Sequence, residues 1–462
     1  MIPHPSNITL HTGVFRIAPV ITFNADILAN SAATLLTERL DAIATLRKHQ
    51  SAAQIQWNTS SLPEHAYRIT ISTSKILLEA SSETGFFSAS ATLFLLFFSH
   101  SADRSIPCQT ITDSPKYSWR GCHFDCSRHF FPLRFLKKLI DMCSIFKINV
   151  FHLHFCDDQG WRIELPDFPQ LTQVGAWRTD GDRIHGGYYT EQDIRSLIAY
   201  AATRGITVVP ECEMPGHCAA ALVAYPELAS KKAYSQVPSH WGILEDAYNI
   251  SEPKVRTVLK EILKNLMELF PGRYFHIGGD EVPSESLIGS TGSFPNVQSL
   301  LDDFFKDICD FLISHNKIPI AWDEAIAHTP PKGTVGMIWQ SQEYAQAAIN
   351  AGYSIILCPQ DAGCYLDHGY AKGPTHMGRI GTCSIEETMR LTFPELDETM
   401  VLGAQAAIWT EGMCAEWEVE HLVFPRLIVL AHRFWSSNIL EKKDLPLAHD
   451  ICNSYEVPYS HI

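Results

Sequence analysis

Beyond about residue 115 the chain alternates between short, nearly unbroken apolar runs and longer segments whose apolar residues recur every three or four positions. Strands buried on both faces read as the first pattern, and helices with one buried face as the second. The apolar runs predict eight strands: Trp119–Cys126, Ile148–Cys156, Ile206–Glu211, Tyr274–Gly278, Ile318–Trp322, Val335–Trp339, Ser354–Leu357 and Val401–Trp409. Between them, helical periodicity covers Leu133–Phe146, Glu191–Arg204, Val255–Phe270 and Val297–His315. Eight successive strand–helix units predict an α/β fold, the (β/α)8 TIM barrel, whose functional groups gather at the C-terminal ends of the strands.

Residues 1–115 read differently, with short alternating runs at Phe15–Ile17, Tyr67–Ile71 and Lys75–Leu78 and two helical stretches, Ser31–Lys48 and Gly85–Phe98. That mixture predicts a small N-terminal α+β domain, separated by Asp113-Ser114-Pro115 from a barrel occupying residues 116–462. No internal repeat or low-complexity tract competes with this division.

Composition narrows the partners. A chain of 462 residues, 46% hydrophobic and 19% charged, can bury a large core. Its net charge of -15, with no compensating basic run, argues against nucleic acid and anionic membranes. Thirteen cysteines, an odd number without a CxxC pair, suit free thiols in a reducing compartment. The N-terminal MIPHPSNITL lacks the basic and apolar parts of a signal peptide, and the apolar run Ala91–Phe98 is too short to span a bilayer. A cytoplasmic protein is expected; an exported one whose leader has been removed is the alternative.

The chemistry is concentrated where the expected strands end. Tyr274–Glu281 reads YFHIGGDE, an apolar run followed by two glycines and two adjacent carboxylates. Neighbouring side chains on a strand point to opposite faces, so Asp280 and Glu281 converge on one ligand only if the strand has ended and the backbone has turned. Other expected strand ends carry Arg128, the stretch from His152 to Trp161, Glu211 to His217, Trp322-Asp323-Glu324, Trp339, Tyr365-Leu366-Asp367 and Trp409-Thr410-Glu411. Polar donors and acceptors mixed with tryptophan suit a sugar, whose hydroxyls need hydrogen bonds while its C–H faces pack on aromatic rings. No cofactor is called for.

Together the strings WRGCHFDCSRHFFP, NVFHLHFCDDQGWRIE, PECEMPGH, FHIGGDE, AWDE, YLD and WTE, from Trp119 to Glu411, resemble family 20 glycoside hydrolases, the β-N-acetylhexosaminidases. The resemblance implies that Glu281 is the general acid and base and that Asp280 orients the substrate's acetamido group. It places Arg128 on the ring hydroxyls at C3 and C4, and Asp157 and His217 in a relay behind Glu281 with His154 nearby. Tyr365 is implied to donate to the acetamido oxygen, Trp322, Trp339 and Trp409 to line the methyl pocket, and Asp367 and Glu411 to bind the hydroxyls at C4 and C6. The implied substrate is an oligosaccharide or glycoconjugate ending in N-acetylhexosamine. Cys156, Cys212 and Glu213 depart from the family pattern, where an aspartate is usual at position 213.

Adjacent carboxylates suit a mechanism in which the substrate's own amide is the nucleophile, so that the protein supplies one acid and one anion. Glu281 then needs a raised pKa, from partial burial and the charge of Asp280. Two other readings stay open on the residues alone. His152, His154, Asp157, His217 and Asp280 could bind the metal of a barrel amidohydrolase, and the ring of residues could belong to a barrel that only binds carbohydrate. Arg128 could equally be a structural partner of Asp125 or Asp157, and the tryptophans could be core.

Overall fold

The computed structural model describes residues 1–48, 53–231, 234–360, 363–370 and 379–459. Eight parallel strands close into a barrel: Trp119–Asp125, Val150–His154, Thr207–Glu211, Tyr274–His276, Ile318–Trp322, Val335–Ile338, Ser354–Leu357 and Val401–Ile408. We number these barrel strands one to eight. Each pairs with its neighbours in chain order, and strand eight closes on strand one through the register Gln405↔Gly121 to Ile408↔Phe124. Every residue of strands one and two is buried, which is why these segments lack the regular apolar–polar alternation of a half-exposed strand.

The helices between the strands follow the expected periodicity. Helix Glu191–Ala202 buries Ile194, Leu197 and Ala201 along one face and starts at a capping box in which Thr190 and Asp193 satisfy each other's backbone N–H groups. Helix Val297–Ser314 is capped by Asn296, whose side chain accepts from Ser299 N at 2.8 Å, an arrangement worth about 1 kcal/mol. The barrel strands mostly end one or two residues before the apolar runs do. In those runs the last residues have already turned into the loops that carry the site.

The N-terminal domain is a seven-stranded mixed sheet covered by two helices, Asn30–Leu40 and Glu83–Ser99. Here the structure corrects the sequence. The expected helix Ser31–Lys48 ends at Leu40, and Thr45–Lys48 is a strand pairing in parallel with Val20–Phe23. Ile43 to Leu46 is apolar in either conformation; the sheet edge, a tertiary partner, decides between them. Strands Val20–Ala25, Ile55–Thr59 and Ser105–Asp113 were also not anticipated.

A buried polar knot joins the domain to the barrel. Asp113 Oδ2 accepts from Tyr67 OH at 2.6 Å, Trp435 Nε1 at 3.0 Å and Lys147 Nζ at 3.1 Å. Lys147 also lies 4.1 Å from the centre of the Trp435 ring. With so many partners the buried charge pair is fully satisfied. No helix among the described residues is long and apolar enough to cross a membrane.

Candidate active site

Strand four ends at His276, and the chain then turns through Gly278 (φ 67°) and Gly279 (φ 91°) to Asp280 and Glu281. A Cβ at position 278 would lie 1.7 Å from Glu213 Oε2, and one at 279 would lie 2.7 Å from the Ala325 methyl. Both glycines are thus required by positive φ and by close neighbours. Glu281 itself takes φ 46° and His217 φ 47°, conformations that cost a non-glycine residue about 1–3 kcal/mol and persist only where surrounding packing enforces them. These two strained residues face each other, with His217 Nε2 3.4 Å from Glu281 Oε2 and 3.7 Å from Asp280 Oδ2.

The cavity at this mouth has a volume of about 270 Å³. Asp280, Glu281 and His217 form one side of it. Trp322, Trp339, Tyr365 and Trp409 form an aromatic wall; Trp339 and Tyr365 are stacked at 6.4 Å, and Tyr365 stands 6.3 Å from Trp409. Arg128 and Glu411 line it from the strand-one and strand-eight loops, their charged atoms 3.9 Å apart. The cavity therefore unites nine of the twelve residues singled out in the sequence.

The other three lie behind it. Asp157 is buried beneath Arg128 and His217: its Oδ2 accepts from Arg128 Nη2 at 2.8 Å, and its Oδ1 is 3.4 Å from His217 Nδ1. His154 bridges Asp157 at 3.0 Å and Glu211 at 2.6 Å. Asp367 is fully buried and does not line the cavity. Arg128 also approaches Asp125 at 3.4 Å, so it is a structural ion-pair partner as well as a lining residue.

Several residues with a part in this arrangement had no role assigned from sequence. Asp158 is 3.2 Å from His217 Nδ1, closer than Asp157, and fixes the loop through Ala219 N at 3.0 Å. Glu211 sits at the centre of the barrel, ringed by His123, His152, His154 and His276, and accepts from Trp322 Nε1 at 2.8 Å. Gln159 accepts from Arg128 Nε at 3.2 Å and donates to the His240 carbonyl at 2.8 Å, tying Arg128 to the loop whose Gly242 and Ile243 form the cavity lip. Asp158, Gln159 and Glu211 stand within motifs already visible in the chain; the lip loop carries no motif at all.

Electrostatics follow from this burial. Desolvation alone would lower the His217 imidazole, but Asp157 and Asp280 outweigh it and hold its pKa well above the ordinary value. His154 is likewise pushed up to about 10, with Glu211 and Asp157 overcoming burial. Asp157 stays well below the usual carboxylate range because Arg128 and His217 outweigh its desolvation. Burial pushes the Asp280 carboxyl up to about 7, with His217 pulling against it and Glu324, Glu211 and Glu281 adding to it. Glu213, buried beside Asp280 and Glu211, is raised well above the ordinary glutamate value, burial being the largest cause. His152 and His154 are buried and turned onto Glu211.

Comparison with known proteins adds the lineage. Residues 117–438 match the catalytic domain of glycosyl hydrolase family 20, and residues 1–114 match domain 2 of that family. A beta-hexosaminidase of Porphyromonas gingivalis is 36% identical over 357 residues, 74% of this chain, which spans 45% of that longer protein. One from Vibrio furnissii is 34% identical over 467 residues, covering 93% of this chain and 76% of its own length. The exo beta-N-acetylglucosaminidase of Vibrio harveyi, solved with N-acetylglucosamine, superposes on 100% of this chain and 78% of its own with a TM-score of 0.89 at 29% identity. The beta-N-acetylhexosaminidase of Bacteroides fragilis gives 0.87 at 26% identity, covering 100% of this chain and 96% of that one. With the matched family domains covering most of its length and the carboxylate pair at the mouth of the barrel, the chain belongs to glycosyl hydrolase family 20 and is a glycoside hydrolase.

Proposed function

We propose that the chain is an exo-acting β-N-acetylhexosaminidase, which releases terminal β-linked N-acetylglucosamine or N-acetylgalactosamine from oligosaccharides or glycoconjugates with retention of configuration. The observation that carries this reading is the meeting, in one small cavity, of adjacent carboxylates with an aromatic wall and an arginine. Glycosidases that use one carboxylate as acid and a second as nucleophile or base hold the two on opposite sides of the scissile bond, and family 20 is among the exceptions to that scheme. Asp280 and Glu281 are chain neighbours that share one side of the cavity.

In the proposed mechanism the acetamido oxygen of the substrate attacks its own anomeric carbon while Glu281 protonates the departing oxygen. Asp280 accepts the amide N–H and, as an anion, stabilises the positive charge of the oxazolinium ring that forms. The cationic His217, 3.4 Å from Glu281, stabilises the carboxylate that Glu281 becomes. Glu281 then takes a proton from the water that opens the ring, and the two displacements retain configuration. The aromatic wall suits the acetamido methyl and the apolar face of the sugar, while Arg128 and Glu411 suit its hydroxyls.

A panel of aryl β-glycosides of N-acetylglucosamine, N-acetylgalactosamine, glucose and galactose tests this directly. Turnover is expected on the N-acetylated pair and negligible turnover on the plain sugars. Comparable rates on glucoside and N-acetylglucosaminide would overturn the reading. In the same assay, Arg128→Ala should raise KM for the N-acetylglucosaminide, because the sugar hydroxyls lose a charged partner worth on the order of 1–3 kcal/mol. A normal KM in a variant that melts like the wild type would leave Arg128 with only its structural role beside Asp125 and Asp157.

A further inference from the structure

Glu324 lies in the short helix Asp323–Ile326 that follows strand five. Its Oε2 accepts from the indole N–H of Trp339 at 2.9 Å, and its Oε1 accepts from Gln340 Nε2 at 3.0 Å. The preceding residue completes the tie, with Asp323 Oδ2 accepting from the backbone N–H of Gln340 at 3.1 Å. Two carboxyls from the end of strand five thus hold the end of strand six, where Trp339 enters the aromatic wall. The same short helix also abuts the turn carrying Asp280: the Ala325 methyl occupies the space a Cβ at Gly279 would need, and Trp322 N donates to the Gly278 carbonyl at 3.0 Å.

We propose that Glu324 is a positioning residue serving two sides of the cavity at once, orienting Trp339 through its hydrogen bond and facing Asp280 with a second negative charge. The kinetic part of this inference rests on the proposed N-acetylhexosaminidase activity. Burial, and then contact with Glu324, pushes the Asp323 carboxyl up to about 9, so near neutral pH Asp323 keeps its proton. A negative charge on Glu324 raises the Asp280 pKa. In the empty site it opposes ionisation of Asp280. The other groups facing Asp280 are Glu211 at the end of strand three, Glu213 and His217 from the loop that follows it, and Glu281 from its own turn. Among these His217 pulls the Asp280 pKa down, and Glu211 and Glu281 push it up.

Two substitutions separate the roles. Glu324→Gln keeps an oxygen that can accept from Trp339 but removes the charge; Glu324→Ala removes both. Asp280 must be ionised to act, so activity rises as pH passes through its pKa. Without the Glu324 charge that pKa falls, and the acidic limb of kcat/KM should move down by about one pH unit in both variants. KM for an aryl N-acetylglucosaminide should remain within about twofold of wild type in Glu324→Gln and rise severalfold in Glu324→Ala, where Trp339 is released. An unmoved acidic limb in Glu324→Gln overturns the electrostatic role, and equal KM values in the two variants overturn the orienting role. Carboxyl carbon NMR, with Asp280 identified by its loss in Asp280→Asn, titrates the same group without any substrate. If the wild type hydrolysed no N-acetylhexosaminide, the proposed function would fail, yet a lowered Asp280 titration in Glu324→Gln would still uphold the electrostatic role and an unmoved one would refute it.

Discussion

Glu281→Gln should lower kcat on an aryl β-N-acetylglucosaminide by about 10²- to 10⁴-fold, the usual worth of a general acid–base group. The amide keeps the size of the side chain and its place on the strained turn, with φ 46°, but can neither give nor take a proton. Binding of the product sugar should change little, since the aromatic wall and Arg128 are untouched. The loss should also depend on the leaving group. A poor leaving group needs protonation and should suffer the full effect, whereas an activated phenol departs with less help and should suffer less. Near-normal turnover on an unactivated disaccharide would exclude Glu281 from the acid role.

Asp280→Asn should reduce hydrolysis by a comparable factor through a different route. The substitution preserves volume and removes the anion, so it should act on the charged intermediate rather than on the neutral product. A thiazoline mimic of the bicyclic intermediate should therefore bind the wild type far more tightly than N-acetylglucosamine does, and that advantage should shrink in the variant. The pH profile provides an internal check. With the Asp280 pKa near 7, the ionised and active form of the free enzyme accumulates as pH rises through that value and is lost below it. Asn at this position cannot titrate, and an acidic limb near pH 7 that survives the substitution belongs to another group. A 2-deoxy-2-fluoro glycoside without the amide offers the opposing outcome: a covalent sugar ester on Asp280 or Glu281 would replace the substrate-assisted reading with direct nucleophilic attack.

Much of the barrel was legible in the chain because its strands are buried on both sides. Segments such as Cys122–Phe124 and Phe151–Leu153 have no solvent face, and largely apolar runs, broken here by the buried His123 and His152, follow from that. The N-terminal sheet was harder to read. Its edge strands, Asn7–Arg16 and Thr45–Lys48, are largely exposed, and Thr45–Lys48 joins the sheet by pairing with Val20–Phe23. Within the site, the carboxylates and tryptophans stood out because they follow directly on apolar runs. Residues that act through others did not stand out: Gln159 depends on a carbonyl 81 positions away, and Glu211 reaches Trp322 across 111 positions.

The sequence by itself determined the fold class, the strand ends that carry chemistry and the carboxylate pair, because local pattern and residue type suffice for these. Charge states and supporting contacts were decided only by the tertiary structure. Asp280 is the carboxyl that burial raises, with Glu324, Glu211 and Glu281 adding to the effect. Asp157 proved to be a buried support, held by Arg128, His154 and His217 from three different loops and strands. A pKa and a hydrogen-bond partner depend on which charges lie within a few ångströms and how much water is excluded, and neither is set by neighbours along the chain.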